Sequence, residues 1–399
     1  MHQATPPAPS PRAAIVAALA ALFVGVGLAR FAYTPLLPAV VAAGWFGPDQ
    51  AAYLGASNLA GYLIGAIAGR RLAARTRIAA PVLMLVTAAT FVACAWPLPF
   101  AWFAAWRFVS GLGGGALMVM AAPAALRLVE PARRGVAGGL VFAGVGLGIV
   151  TSGLVVPALL RIGLGETWMA LGLLAALATV ATARGWPPDV VVSTDAAVAD
   201  AAQPWPTSAT LVIAVYGTIA VALVPHMVFL VDFIARGLGA GIAAGAGWWV
   251  AFGLGATVGP ALFGALGDRV GYGAALAIAL TVQIAAVGIV LVSTGTAALA
   301  ITSFMVGAYV PGSAPLVLGK IREIFHDPAR QQVAWSRATV VFSVGQAAGA
   351  WLLSAVFAET GEHRLLFAFG TAAFALALLL DRIAAWLAAR QRVRADQPP

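Results

Sequence analysis

Charge is what this chain has least of: 9% of its 399 residues are Asp, Glu, Lys or Arg, against 62% apolar. An ordinary soluble domain carries about a quarter charged residues, so that class is excluded and an integral membrane protein is expected. The single cysteine, Cys94, lies in an apolar run and excludes an intrachain disulfide. The histidines, His2, His226, His326 and His363, are scattered without metal-ligand spacing, so neither metal nor cofactor is expected. Gly25-Val26-Gly27 and Gly113-Gly114-Gly115 sit inside apolar runs, follow no strand and lack a G-K-[ST] element. That excludes a nucleotide loop and an ATP-driven pump, and no residue constellation supports an enzyme. The net charge of +9 would suggest nucleic acid in a soluble protein. Here the basic residues bracket hydrophobic segments, so they set topology and no nucleic-acid partner is expected.

What the chain does have is apolar windows of spanning length. A helix needs about 20 mostly apolar residues to cross a bilayer. Windows of that kind lie at 13–42, 51–69, 79–98, 100–126, 135–158, 166–185, 209–233, 241–266, 273–294, 297–319, 335–357 and 364–388. The fold class expected is all-α, with twelve transmembrane helices. Arg12 precedes the first window as in a signal peptide, but the apolar run continues for about thirty residues without a convincing cleavage site, and reads as a retained helix. With the N-terminus inside, the inner loops and ends collect Arg70, Arg71, Arg75, Arg77, Arg133, Arg134, Arg269, Lys320 and Arg322 among others, while the outer side keeps Arg161, Arg236 and Arg364. The positive-inside rule then places both termini in the cytoplasm, in a multi-pass protein of the plasma (inner) membrane. Trp45, Trp96 and Trp168 near outer ends, and Trp186, Trp205 and Trp386 near inner ends, are expected to form aromatic belts.

Residues 186–208 form the one long polar stretch, with acids at Asp189, Asp195 and Asp200, and read as a cytoplasmic linker. The organisation expected is a disordered Pro-rich tail at 1–12, a six-helix bundle at 13–185, the linker, a second bundle at 209–388 and a cytoplasmic tail at 389–399. The halves echo one another. Glu130-Pro131-Ala132-Arg133 matches Asp327-Pro328-Ala329-Arg330, Val141-Phe142 matches Val341-Phe342, and Gly65-Ala66-Ile67 matches Gly264-Ala265-Leu266. All three share an offset of 197–200 residues, as a parallel duplication of a six-helix unit would give.

Arg30 and Arg107 stand inside apolar windows with no acid within a turn or two. A guanidinium keeps its proton, and holding it at bilayer depth costs at least about 2.5–3.5 kcal/mol, so such residues face a bundle interior or a watery cavity. Tyr33 and Thr34 share a helical face with Arg30, and Pro35 and Pro38 are expected to free carbonyls just beyond. Asn58 and Tyr62 share a face of the second span, while Gln283 and Gln346 supply polar groups to the ninth and eleventh. Gly111 and Gly115 allow a neighbouring helix close to Arg107. Spans five's glycines, from Gly144 to Gly153, read as close packing.

The inner loop after span eight, Gly264-Ala-Leu-Gly267-Asp268-Arg269-Val-Gly271, resembles the G-x-x-x-D-R-x-G loop of the major facilitator superfamily. Its first-half counterpart has Gly69 where the acid would stand. Trp106-Arg107-Phe108-Val109-Ser110-Gly111 resembles the superfamily's fourth helix, and Arg30-Phe31-Ala32-Tyr33-Thr34-Pro35-Leu36-Leu37-Pro38 resembles its uncharacterised YbfB-like branch. The resemblance implies two rocking six-helix bundles and a gating loop at Gly264, Asp268, Arg269 and Gly271, with Asp268 and Arg269 placed to meet helix ends or opposite charges. The expected function is secondary transport of a small organic anion by a monomer in the bilayer, with Arg30, Tyr33, Thr34, Asn58, Tyr62, Arg107, Gln283 and Gln346 at the substrate. Should a proton drive transport, His226 and Asp232 are the candidates to carry it. The alternatives are efflux of lipophilic or cationic compounds, which would want an acidic cavity, and a non-transporting membrane sensor on the same fold.

Overall fold

The computed structural model describes residues 9–130, 134–189, 205–325 and 327–395. Most of the expected N-terminal tail, linker residues 190–204, the loop residues Pro131, Ala132 and Arg133, His326 and the last four residues lie outside the described residues. Among the described residues, twelve helices are long and apolar enough to cross a membrane, and no strand is present. In the first half these are α1 Pro11–Ala42, α2 Pro48–Gly69, α3 Thr76–Ala93, α4 Phe100–Leu126, α5 Ala137–Leu159 and α6 Leu164–Gly185. In the second they are α7 Thr207–Gly237, α8 Gly241–Val270, α9 Tyr272–Val292, α10 Thr296–Ile324, α11 Val333–Thr360 and α12 His363–Leu387. An even number of crossings puts both termini on one face, called here the terminal face.

Local chemistry sets the helix ends. Ser10 caps α1, its hydroxyl accepting from Ala13 N at 3.2 Å, with Pro11 in the first turn where its missing amide is harmless. Asp189 in the described start of the linker accepts from Arg77 N at 2.9 Å, tying the linker to the beginning of α3. Asp327 accepts from Arg330 N at 3.3 Å, so the Asp-Pro-Ala-Arg element is a helix-start device. Gly271, at φ +81°, makes the turn out of α8 in a region that favours glycine. Helices α8 and α10 run on past the expected 266 and 319, because polar residues such as Asp268, Arg269, Lys320 and Arg322 continue them beyond the apolar window. The sequence expectation erred over two tryptophans: Trp168 and Trp186 are each 1% exposed, core residues rather than belt residues, whereas Trp96 and Trp386 are exposed.

Small residues bring the helix pairs together. A Cβ on Gly61 would lie 1.9 Å from Phe108 O, and one on Gly111 1.9 Å from Asn58 O, so α2 and α4 touch backbone to backbone. The second half repeats this with Gly255 against Phe304 O and Gly307 against Phe252 O, joining α8 to α10. Gly144 and Gly148 pack on α1 as Gly345 and Gly349 pack on α7, which bears out the close-packing reading of span five. These crossings also adjust the repeat register. Gly65 at Leu112 O corresponds to Gly259 at Ala308 O, not to Gly264, so α8 reaches more than a turn further past its crossing before the loop begins.

The halves meet along α5 and α8, and along α1, α2, α7 and α11. Toward the face opposite the termini the contacts are dense: Tyr53 and Trp351 have ring centroids 5.2 Å apart, Phe31 and Trp249 5.9 Å, and Trp249 Nε1 donates to Ser152 Oγ at 3.2 Å. The α5–α8 seam is tight at Gly153 against Ala246 O, at Val150 against Gly253 and at Gly146 against Thr257. Further toward the terminal face, a Cβ on Gly139 or Gly264 would meet nothing within 4 Å. Among the described residues the seam is therefore tight toward the opposite face and open at Gly139 and Gly264 toward the terminal one.

Candidate functional site

The site is built where α1 and α7 lose regular helical bonding. In α1, Ala29 N reaches back to Val24 O and Phe31 N to Val26 O, five residues rather than four, and turns follow through Ala32 before the helix resumes at Tyr33. Wide turns of this kind cluster at functional positions. The opening leaves the Ala29 carbonyl to side chains of α4: Arg107 Nη1 donates to it at 2.7 Å and Ser110 Oγ lies 3.4 Å away. The break thus comes before Tyr33, whereas the sequence reading placed the loosened backbone at Pro35 and Pro38. In α7, the segments Pro225–Phe229 and Phe233–Gly237 are widened in the same way.

Arg107 is 2% exposed and turned inward, with its guanidinium 4.5 Å from the centre of the Tyr33 ring. Its Nε and Nη2 have no hydrogen-bond partner. These two nitrogens form one edge of the guanidinium, the edge that matches both oxygens of a carboxylate. Elsewhere in this chain Arg236 spends that edge on Asp232. Arg30 points at the seam, its guanidinium 5.0 Å from the Phe31 ring and 5.2 Å from the Tyr62 ring. Arg30 Nη2 lies 3.7 Å from the sulfur of Met227, the residue 197 positions later and hence its counterpart in the repeat. Gln346 Nε2 lies 3.7 Å from the same sulfur. A thioether is a weak acceptor, so both donors are held by a poor partner. Thr34 Oγ1 donates to Met227 O at 2.7 Å, Tyr33 Oη donates to Ala51 O at 2.7 Å, and Asn58 Nδ2 donates to Arg107 O at 3.1 Å. Asn58 Oδ1 and Gln346 Oε1 are buried without partners.

Arg30, Tyr33, Thr34, Gly55, Asn58, Leu59 and Arg107 from the first half, with Met227 and Val228 from the second, line a small cavity between the halves. Its volume is about 10 Å³, room for about one water molecule. No Asp or Glu lines it. A larger hollow of about 410 Å³ opens on the opposite face between Pro48, Asp49, Arg236, Phe357 and His363. Its Arg236 and His363 share one partner: Asp232, fully buried, accepts from Arg236 and from His363 Nε2, the latter at 2.7 Å.

Of the residues singled out in the sequence, Arg30, Tyr33, Thr34, Asn58 and Arg107 converge on the small cavity, with Tyr62 and Gln346 beside it. Gln283 stands apart, its amide donating to Met305 O at 3.1 Å between α9 and α10. His226 is fully buried within the second half, Nε2 2.6 Å from Thr302 Oγ1 and its ring edge-on to Phe367. In the gating loop Asp268 accepts from Tyr272 Oη at 2.7 Å, and among the described residues neither Asp268 nor Arg269 bonds to the other half. Sequence reasoning missed Met227, His363 as partner of Asp232, and fully buried Asp381 between Lys320 and Arg382. For Met227 the only signal was its position one repeat after Arg30.

Twelve spanning helices in two similar halves, around a cavity at their interface, define a transporter of the major facilitator class. Residues 22–382 match the family described as "Uncharacterised MFS-type transporter YbfB", and the chain belongs to that family. Among solved structures it is similar to the D-xylose-proton symporter, with a TM-score of 0.69 and 15% identity, covering 92% of this chain and 96% of that one. That likeness is one of fold. Comparison with curated proteins finds no match.

Proposed function

We propose that the chain is a secondary transporter for a small organic anion, bound between Arg30 and Arg107 and exposed to either side in turn as bundles 13–185 and 209–388 rock. One observation carries this reading: two guanidiniums line a buried inter-half cavity with no acid in its wall, and one of them keeps an unspent carboxylate-shaped edge. The interface between repeats is where such a fold places its substrate. The tight α5–α8 seam on one face and its open end at Gly139 and Gly264 on the other support a rocking motion that swaps them. The basic residues on the terminal face support a protein of the plasma (inner) membrane with both termini in the cytoplasm.

Proton coupling belongs to the proposal, and the D-xylose-proton symporter of like fold is a precedent. Asp232 is its better-supported carrier than His226, because its partner His363 borders the open hollow on the opposite face whereas His226 is enclosed. The test is a thermal-shift screen of purified protein against anionic, neutral and cationic metabolites, with Arg30→Gln and Arg107→Gln alongside. A ligand that binds only the folded state stabilises it by RT ln(1 + [L]/Kd). Anions stabilise the wild type and neither variant on this reading; hits confined to cations, unchanged in the variants, would replace it with efflux.

A further inference from the structure

The cavity has an unspent acceptor at Asn58 as well as unspent donors at Arg107, and Gln346 beside it holds a second such acceptor. Asn58 Oδ1 and Gln346 Oε1 are buried without hydrogen-bond partners, while the amide nitrogens of both residues are engaged, Asn58 Nδ2 on Arg107 O and Gln346 Nε2 on the Met227 sulfur. The bond to a carbonyl fixes which way the Asn58 amide faces, so its oxygen is the atom left over. Buried polar atoms are normally partnered, and an orphan calls for an explanation. A plain carboxylate answers Arg107 Nε and Nη2 but offers nothing to these oxygens, because it only accepts. A substrate that satisfies the whole set needs a carboxylate for the arginine edge and a hydrogen-bond donor beside it.

Two donors would fit by hydrogen bonding, a hydroxyl and an ammonium. Charge decides between them. An ammonium would enter a space lined by Arg30 and Arg107 and by no acid, where like charge opposes it. A hydroxyl donates without charge. We infer that the substrate class is a small hydroxycarboxylate, with its carboxylate on Arg107, its hydroxyl donating to Asn58 Oδ1, and Gln346 Oε1 open to a second hydroxyl. Its oxygens displace the Met227 sulfur from Arg30 and Gln346, each 3.7 Å from it. The inference rests on the anion reading above and narrows it.

Titration calorimetry on the detergent-purified full chain tests it, with propionate, lactate, glycerate, alanine and glycerol as probes. A site that hydrogen-bonds a hydroxyl discriminates steeply against the analogue lacking it. Lactate and glycerate are expected to bind at least about tenfold tighter than propionate, with alanine weaker than lactate. Asn58→Leu is expected to bring the lactate-to-propionate ratio toward one, whereas Arg107→Gln weakens both acids and leaves their ratio in place. Equal binding of lactate and propionate by the wild type would overturn the hydroxyl assignment and leave the anion reading standing. Alanine matching lactate would overturn the choice of hydroxyl over ammonium. Glycerol binding without either acid would overturn the anion reading itself. Binding of none of the five would overturn the hydroxycarboxylate class, and the wider anion panel would still decide the broader reading.

Discussion

Replacing Arg107 by methionine separates a structural arginine from a functional one. The wild-type side chain makes one charge-assisted bond, to Ala29 O at 2.7 Å, and stacks over Tyr33 at 4.5 Å. Losing the bond costs about 1.5–3 kcal/mol and losing the cation–π contact about 0.5–2 kcal/mol. Against this, methionine removes a guanidinium whose placement at depth costs about 2.5–3.5 kcal/mol on insertion scales. It also removes the unpartnered Nε and Nη2, whose desolvation penalty of about 1–3 kcal/mol overlaps that figure. Ser110 Oγ, 3.4 Å from Ala29 O, is placed to take over the carbonyl. The opposing contributions nearly cancel, so Arg107→Met is expected to melt within about 3 °C of the wild type without solute, read from intrinsic tryptophan fluorescence. Ligand stabilisation should vanish: an anion at 100 times its Kd adds about 2.7 kcal/mol to the wild type and nothing to the variant. A loss of more than about 3 kcal/mol in the empty variant would mean that Arg107 holds the bundle together, and the functional argument built on its free edge would fail.

Glycine substitutions should divide by location. Gly111→Ala places a Cβ 1.9 Å from Asn58 O and should cost about 1–3 kcal/mol or prevent folding, whereas Gly264→Ala meets nothing within 4 Å and should be neutral, as size-exclusion and melting profiles will report. Asp232→Asn breaks a fully buried carboxylate's pairing with Arg236 and His363, and should destabilise by about 3 kcal/mol in a melting experiment. An unchanged melting point would show the cluster to be dispensable for folding. Native Cys94 is 1% exposed, so the wild type should react slowly with a water-soluble maleimide, while Gly264→Cys labels quickly. Slow labelling of that variant would mean that the seam is closed toward the terminal face.

Much of the architecture was legible because the bilayer makes helix length and apolarity nearly sufficient information. The windows found every span, and the intramembrane arginines marked two of the four helices that meet at the cavity, α1 and α4. Loop motifs were a weaker guide. Gly65 and Gly264 share a local sequence but not a place in the helix crossings, since the packing register is set by backbone contacts that a tripeptide does not encode. Gln283 shares its residue type with Gln346 yet faces α10, because helix rotation and not polarity decides what a span presents to the cavity. Partners distant in sequence were invisible. Lys320 and Asp381 lie 61 positions apart, and His363 and Asp232 131 apart. Asp381, next to Arg382 near a span end, is fully buried, and nothing in its neighbouring sequence signals that burial.

The most direct test is uptake of a radiolabelled hydroxycarboxylate, such as lactate, into proteoliposomes containing the wild type or Arg107→Met at equal density. The account predicts saturable uptake by the wild type, and uptake at the level of empty liposomes by a variant that remains folded. Equal uptake by both proteins would contradict it, because the anion would then cross without the arginine edge on which the site is built.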